Sequence, residues 1–395
     1  MILAFPVFLW RALNVYTAKV TALQGGFLWG LIVFGMHFHW LAQLLLQHAN
    51  ASCAFCLFLY GCLVVYGALT TAVWFLVMSM WRSLFFIPVF LAYWFWVDYF
   101  FLYPLGFGMG YPFINPLLSL VSYQPCRLLL WCIGVLMYGP TSQPLALPTV
   151  LHLPPVVSRA YHYDQPWRCN SDVVGHKLYR QLDRLAARLN AQPWSFVVAP
   201  ESTFMFPLHK HQDLIHLWSS ALPPSTHMMI GSIYKDERGG HYQAVYWLHG
   251  CLIINVYVKK MAVPIVETMP AQWRNSCLHN LFLKEGEGEC RSMTKQLPGC
   301  VDYFDISAQV RVIPQICLEF YCNSGATIRR HLNYNTYNYV FLFLNDSWFN
   351  SFFCSLLYRL AVLKAQLIGV PVWYIGHDEC RVIMPNIAPG PGAQC

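Results

Sequence analysis

The sequence predicts a multi-pass α-helical membrane domain over residues 1–150 followed by an α/β domain over residues 151–395. Three observations predict this order. The chain is 57% hydrophobic and 16% aromatic, more apolar than an ordinary soluble protein. Its charges are uneven: ahead of Arg159 stand only Arg11, Lys19, Arg82, Asp98 and Arg127, out of 25 basic and 18 acidic residues. Beyond that point, short apolar runs of strand length alternate with amphipathic helical patterns.

The membrane elements follow from length and charge. A spanning helix needs about 20 largely apolar residues. Between Lys19 and Arg82 there is no charge, so two spans fit, at 26–46 and 53–81, with the polar "QHANAS" between them. Further spans are predicted at 84–103 and 128–139, and "MILAFPVFLW" is too short unless its helix continues past Arg11, so the count is four or five. No basic n-region or small-residue cleavage site marks a cleaved signal peptide. Asp98 lies inside the third span, where a charge at mid-bilayer costs about 2.5–3.5 kcal/mol, and is expected to face the bundle interior or the interface. The aromatic residues of 90–113 are expected to form core and interfacial belt. His37 and His39 would share a face on a strand but not on a helix, so no metal site is expected there. Positive-inside counting puts the Arg11–Lys19 loop and Arg82 in the cytoplasm.

The net charge of +7 does not point to nucleic acid, because Lys and Arg are scattered without a basic run or helical stripe. Membrane-surface contact explains the excess more simply. The 15 cysteines are odd in number and irregularly spaced. "CAFC" falls within a predicted span and reads as small apolar packing residues. Cys277, Cys290 and Cys300 lie in a loop-like region and could pair on an oxidising side.

After the Pro-rich link "GPTSQPLALPTVLHLPP", an amphipathic helix is predicted at 176–192, then a short buried strand in "WSFVVAP". "MMIGSIY", "YQAVYWLHG", "CLIINVYV", "VRVIPQICLEF" and "YVFLFLND" read as further strands, and a helix at 355–369 precedes the strand "VPVWYIG". One layered α/β domain accommodates this pattern. "HKH" at 209–211 reads as a polar loop flanking the active-site mouth rather than a ligand pair.

Several of these strands end in a reactive group. "FVVAPES" delivers Glu201, "IINVYVKK" delivers Lys259 or Lys260, and "VIPQICLE" delivers Cys317 with Glu319. Strand ends are rigid points from which side chains can converge. A thiolate is a strong nucleophile, a nearby lysine lowers its pKa and stabilises an oxyanion, and a carboxylate in an apolar pocket serves as general base. Singly, each has a plainer reading: a buried packing thiol, a solvated strand cap, a surface "KK" pair. The functional reading rests on their combination, which suits acyl transfer. Asn345, Asp346 and Trp348 follow the next strand and could shape the pocket beside Cys317, or form only a turn.

"APES", "YVKKMAVPIVETMP", "ICLE" and "NDSWF", in that order, resemble the nitrilase superfamily, and its membrane-bound branch, apolipoprotein N-acyltransferase, in particular. That branch has a tyrosine-x-lysine followed by valine-proline and a glutamate, matched here at the same spacing by Tyr257, Lys259, Val263, Pro264 and Glu267. The match selects Lys259 over Lys260. "GGFLWGLIVFGMHFHW" and "LGFGMGYPF" are similar to the branch's membrane half. The resemblance implies an αββα sandwich, with Glu201 as base, Lys259 as oxyanion stabiliser and Cys317 as nucleophile, supported by Glu267 and Glu319. It implies acyl transfer without a cofactor, from a membrane phospholipid through a cysteine thioester to an amine such as a lipoprotein N-terminus. It further implies a bacterial inner membrane, with the catalytic domain on the periplasmic side. Leu318 stands where the family usually has tyrosine, and Ile265 and Val266 where it has phenylalanine and glycine. Shortened relatives occur among conjugal-transfer proteins. Two other readings remain open: a membrane-anchored amidase using the same triad with water, and a non-enzymatic assembly factor retaining the fold.

Overall fold

The structure is a computed structural model. It describes residues 19–48, 53–80, 149–152, 195–262, 297–346 and 351–385, apart from positions 205, 298, 323–324, 334 and 378. The described residues fall into two compact units: a helix pair, and a set of ten strands with their helices.

The helix pair is α1, Lys19–His48, and α2, Cys53–Met80. Small residues let the two run close together as an antiparallel hairpin. A Cβ on Gly30 would sit 2.5 Å from the Ala68 Cα, and one on Gly26 would sit 2.8 Å from the Ala72 Cα, so only glycine fits this seam. The Tyr60 hydroxyl donates across the pair to the Gly35 carbonyl at 2.8 Å, and Thr71 donates back to Gly67 at 2.8 Å. Phe34, Phe38, Phe55, Trp74 and Phe75 are buried in the pair, and a further set of large apolar side chains points outward: Leu28, Ile32, Met36, Leu57, Phe58, Leu69 and Val73 are exposed. Among the described residues one helix, Cys53–Val77, is long and apolar enough to cross a membrane, and Val20–Met36 is a shorter apolar stretch. The spans expected at 84–103 and 128–139, Asp98 among them, and the helix expected at 176–192 lie outside the described residues. α1 carries His37 and His39 as the helical reading required, and the exposed His39 ring contacts the Met36 carbonyl at 2.6 Å.

The second unit holds two five-stranded sheets. The first contains β1 (Thr149–His152), β2 (Ser195–Ala199), β3 (Thr226–Lys235), β4 (His241–His249) and β5 (Leu252–Val258), hydrogen-bonded in that order. The second contains β6 (Phe304–Ser307), β7 (Val310–Ile316), β8 (Tyr337–Phe343), β9 (Val372–Ile375) and β10 (Cys380–Ile383), also in chain order. β1, β2 and β3 are parallel, and β4 is antiparallel to both β3 and β5, so β5 points the same way as β2 and β3. β7, β8 and β9 are parallel to one another.

Side-chain alternation sorts each strand between two cores. Phe196, Val198, Val245, Trp247 and Tyr257 join Val312, Phe341 and Phe343 of the second sheet in one apolar core, and Phe196 meets Phe341 edge-on at 5.5 Å between ring centres. Val197, Ala199, Ala244, Tyr246, Val256 and Val258 face the other way, onto α3 (Gln212–Ser220) and its buried Trp218. On the outer side of the second sheet, Tyr374 of β9 meets Tyr358 of α5 (Ser351–Ile368). The described layers therefore run helix, sheet, sheet, helix, as expected for an αββα sandwich.

Two expectations need correcting. The strand read through Phe320 stops at Ile316; Cys317 turns the chain and α4, Leu318–Cys322, begins. Thr149–His152, read as part of a linker, is a strand paired with β2. Proline on either side masked it, although a short edge strand tolerates flanking prolines.

Candidate active site

Because β2, β3 and β5 point one way in the first sheet and β7, β8 and β9 run together in the second, their C-terminal ends bear the reactive residues. Glu201 follows β2, Lys259 follows β5, Cys317 follows β7 and Asn345 follows β8. Alternation along β5 sends Tyr257 and Lys259 toward the second sheet and Lys260 away. Lys260 is accordingly part-exposed and paired with Asp302 at 2.7 Å, while Lys259 is 1% exposed.

Glu201 and Lys259 form a buried ion pair, Lys259 Nζ to Glu201 Oε1 at 2.7 Å. The second carboxylate oxygen, Oε2, accepts the Asn345 N–H at 3.2 Å. Burying a charge pair is costly unless its hydrogen bonds are met, and here cation and backbone donor share the two oxygens. Glu201 reaches this position because its turn lies directly on Gly231 of β3. A Cβ on Gly231 would press inside contact of the Pro200 carbonyl oxygen and lie 2.7 Å from the Glu201 Cα. Thr203 Oγ1 donates to the Pro200 carbonyl at 2.7 Å and closes the turn.

Cys317 is 6% exposed and sits between β7 and α4 with φ of 49°. Its N–H donates to the Phe343 carbonyl of β8 at 2.8 Å, and its own carbonyl accepts the Phe320 N–H at 3.2 Å. Among the described residues only one other non-glycine residue has positive φ: Ser202, at 57°, next to Glu201. Such a backbone costs on the order of 1–3 kcal/mol for a side-chain-bearing residue and persists where surrounding contacts hold it. Both instances adjoin the expected reactive groups.

Glu319 ties the two sheets at this end. Its Oε1 accepts the Tyr257 hydroxyl at 2.6 Å and the Ile316 N–H at 2.6 Å, and its Oε2 accepts the Lys260 N–H at 2.8 Å. One fully buried carboxylate therefore fixes the strand that ends in Lys259 and the turn that carries Cys317. Burial pushes the Glu319 pKa up, against those three donors and the Lys259 charge, which pull it down. Burial, and then the Glu319 carboxylate, push the Tyr257 phenol well above its ordinary pKa, so it remains a donor.

Asp346 lies at the same strand ends, with Oδ1 accepting the His377 N–H at 2.5 Å and Oδ2 packed against Gly376. Glu267, Trp348, Cys277 and Cys290 lie outside the described residues. Cys300 is buried, which pushes its thiol pKa up to about 11. His209, expected at the site mouth, is instead on the far face of the first sheet from Lys259. Its Nδ1 is 2.8 Å from the Tyr246 hydroxyl, and burial lowers its pKa. No group of three metal-binding side chains occurs among the described residues.

Two site neighbours escaped the sequence reading. Ser202 follows Glu201 directly, and its hydroxyl donates to Gln243 Oε1 at 3.2 Å. Gln243 had a legible signal: it occupies a position of β4 whose same-face successors, Val245 and Trp247, are apolar core residues. A polar side chain in that register is buried with its neighbours.

No family model and no curated protein matches the sequence. The fold is similar to that of several solved structures. A glutamine-dependent NAD+ synthetase from Acinetobacter baumannii is 12% identical, with a TM-score of 0.37, over 51% of this chain and 35% of that one. A second, from Cytophaga hutchinsonii, is 9% identical, with a TM-score of 0.32, over 51% and 33%. An amidase from Nesterenkonia sp. is 10% identical, with a TM-score of 0.35, over 53% and 77%. The Nesterenkonia amidase belongs to the nitrilase superfamily, and a glutamate-to-glutamine mutant of it shows Michael addition of acrylamide at the active-site cysteine. This chain spans about a third of the length of the NAD+ synthetases it matches.

Proposed function

We propose that this protein is a membrane-attached acyltransferase of the nitrilase type. Cys317 is its nucleophile, Glu201 its general base and Lys259 its oxyanion donor. The observation that carries the reading is the Glu319 tie, which holds the Lys259 strand and the Cys317 turn together beside the buried Glu201–Lys259 pair. A carboxylate and an ammonium so enclosed exchange protons and stabilise charge without competition from water.

In the first half-reaction Glu201 takes the thiol proton as Cys317 Sγ attacks an ester carbonyl. Electrons move onto the carbonyl oxygen beside Lys259, and collapse expels the alcohol, which recovers the proton from Glu201. In the second, an amine attacks the thioester, Glu201 accepts its proton, and Cys317 leaves as the thiol. The outward apolar faces of α1 and α2 favour an ester donor drawn from a bilayer, a phospholipid, over a soluble amide. The acceptor is a primary amine, of which a lipoprotein N-terminus is one example.

The test supplies phospholipid with a labelled acyl chain to the purified protein in detergent, with and without an N-terminal lipopeptide. The expected result is label on the peptide amine. Label released only as free fatty acid would mean that water is the acceptor and that the protein is a hydrolase. No movement of label with any donor would mean that the fold serves assembly rather than catalysis.

A further inference from the structure

Gln243 occupies a place in the site that the triad does not explain. The β4–β5 register pairs Ala244 with Val258 and Val245 with Tyr257, so Gln243 stands opposite Lys259, and the Lys259 N–H donates to the Gln243 carbonyl at 2.8 Å. Residues opposite one another on antiparallel strands project to the same face with their Cβ atoms about 5 Å apart, so the amide and the ammonium are side-by-side neighbours. Gln243 is 2% exposed. Its Oε1 accepts the Ser202 hydroxyl at 3.2 Å, which fixes the amide against the Glu201 turn. Its Nε2 is buried with no hydrogen-bond partner among the described residues. An unpaired buried donor is destabilising, and native proteins keep few of them. This one is held beside the residue assigned to charge stabilisation, by an acceptor contact that orients the amide and leaves its donor end unused.

We propose that Gln243 Nε2 is a second oxyanion donor, giving a hydrogen bond to the carbonyl oxygen of the acyl group as Cys317 attacks it. This rests on the acyl-transfer reading above. Lys259 already shares its charge with Glu201 at 2.7 Å, so a neutral donor alongside adds stabilisation without drawing the lysine from its carboxylate. As the carbon–sulfur bond forms, the carbonyl π electrons become the oxygen lone pair that accepts the amide hydrogen. When the tetrahedral adduct collapses, that pair returns to the carbonyl and the leaving group departs with its own bonding pair.

Two probes of Cys317 separate this role from a merely supporting one. Acylation by p-nitrophenyl butyrate passes through an oxyanion and releases p-nitrophenolate; alkylation by iodoacetamide displaces iodide and forms no oxyanion. Both need the thiolate, and mass mapping assigns both products to Cys317. Gln243→Met keeps the length and removes the amide, and Gln243→Glu keeps the acceptor for Ser202 while removing the donor. Each should slow acylation about 10²-fold while leaving alkylation within roughly 3-fold of the wild type. Ser202→Ala removes the Oε1 contact that orients the amide and should slow acylation by less than the Gln243 variants do, with alkylation near wild type. Acylation and alkylation falling in step would overturn the proposal, because Gln243 would then only position Glu201 and Lys259. So would an unchanged acylation rate in both Gln243 variants. A wild-type protein whose Cys317 is alkylated but never acylated would instead remove the acyl-transfer reading itself, and the donor role with it.

Discussion

The helix pair and the sandwich both bury large apolar side chains, yet they differ in what they leave outside. In α1 and α2 the seam is formed by Gly26, Gly30, Ala68 and Ala72 with Phe34, Phe38 and Phe75 packed into it, while a second set of large apolar residues, Leu28, Ile32, Phe58 and Val73, faces away. In the sandwich, Phe196, Trp247, Phe341 and Phe343 fill the space between the sheets, and Leu252, Ile254 and Met261 are the exposed large apolar residues among those described. The charged and polar groups differ as well. The sandwich buries Glu201, Lys259, Gln243 and Glu319 at one end of its core, each held by a partner from another strand or turn. A helix pair with its apolar side outward is suited to lipid, where packing of small residues rather than hydrophobic burial joins helices. A sheet core that encloses an ion pair does so at an energetic cost, which function explains better than stability does.

The sharpest challenge to this contrast is to remove the buried reactive groups. Cys317→Ala should abolish acyl turnover while expression and thermal midpoint stay close to wild type, and Cys317→Ser should be nearly as inactive, since an alcohol is far less ionised at neutral pH. Activity surviving in Cys317→Ala, with label moved to Cys322, would show that the wrong thiol has been assigned. Next in size is the lysine pair. Lys259→Ala should lower kcat about 10²- to 10³-fold, as loss of an oxyanion donor does. Lys260→Ala, which removes only a part-exposed pair with Asp302, should change kcat by no more than about 3-fold, because surface ion pairs contribute little. A reversed order would mean that the strand register at Tyr257 is wrong.

At the other end of the same core, the stacked rings of His227 and His249 lie 4.4 Å apart, and Trp247 Nε1 donates to His227 Nδ1 at 3.2 Å. Burial, then His249, lower the His227 pKa to about 4 from an ordinary value of 6.5. The unfolded chain therefore binds a proton between those values that the folded chain refuses. Stability present above pH 6.5 should be lost as pH falls toward about 4, by up to about 3 kcal/mol. Thermal midpoints of wild type and His227→Phe across this window measure the effect, and a variant with the same acid slope would exonerate His227. The smallest stability effect is expected on the outer face of the helix pair. Leu28→Ser should leave the hairpin seam intact and change its folding stability by about 0.5 kcal/mol or less, as surface substitutions do. Gly30→Leu should part the helices and cost about 1–3 kcal/mol, as overpacking does. Cysteine cross-linking across the seam, read in detergent, would distinguish the two, and equal effects would contradict the close glycine seam.

Much of this layout was legible in the sequence, for a physical reason. Strands such as Val310–Ile316 and Tyr337–Phe343 are runs of apolar residues bounded by polar ones, and the polar residue that ends each run is placed by the sheet. Glu201, Lys259 and Cys317 could therefore be read as strand-end groups without coordinates. The strand pattern alone left Lys259 and Lys260 open, and the resemblance in spacing from Tyr257 to Glu267 selected Lys259. The turn at Cys317 was not legible, because its positive φ is imposed by the bond to Phe343 and by α4, neither of which is local to the apolar run. Nor was the triple acceptance by Glu319, whose donors lie as far off as Tyr257 and Lys260. Phe304–Ser307 and Cys380–Ile383 are too short for periodicity to register, and both are edge strands of the second sheet defined by their neighbours.

Whether the enclosed carboxylate activates the thiol can be read in a single turnover. Wild type and Glu201→Gln are mixed with phospholipid in the absence of an amine, and the intact protein is weighed before and after hydroxylamine. Glu201→Gln preserves size and removes the base, so it should show no adduct. The wild type should gain the mass of one acyl chain on Cys317, released by hydroxylamine, because without an acceptor the thioester leaves only by slow hydrolysis. An adduct that forms equally in Glu201→Gln, or maps to a thiol other than Cys317, would contradict the assignment of Glu201, Lys259 and Cys317 as one reaction centre.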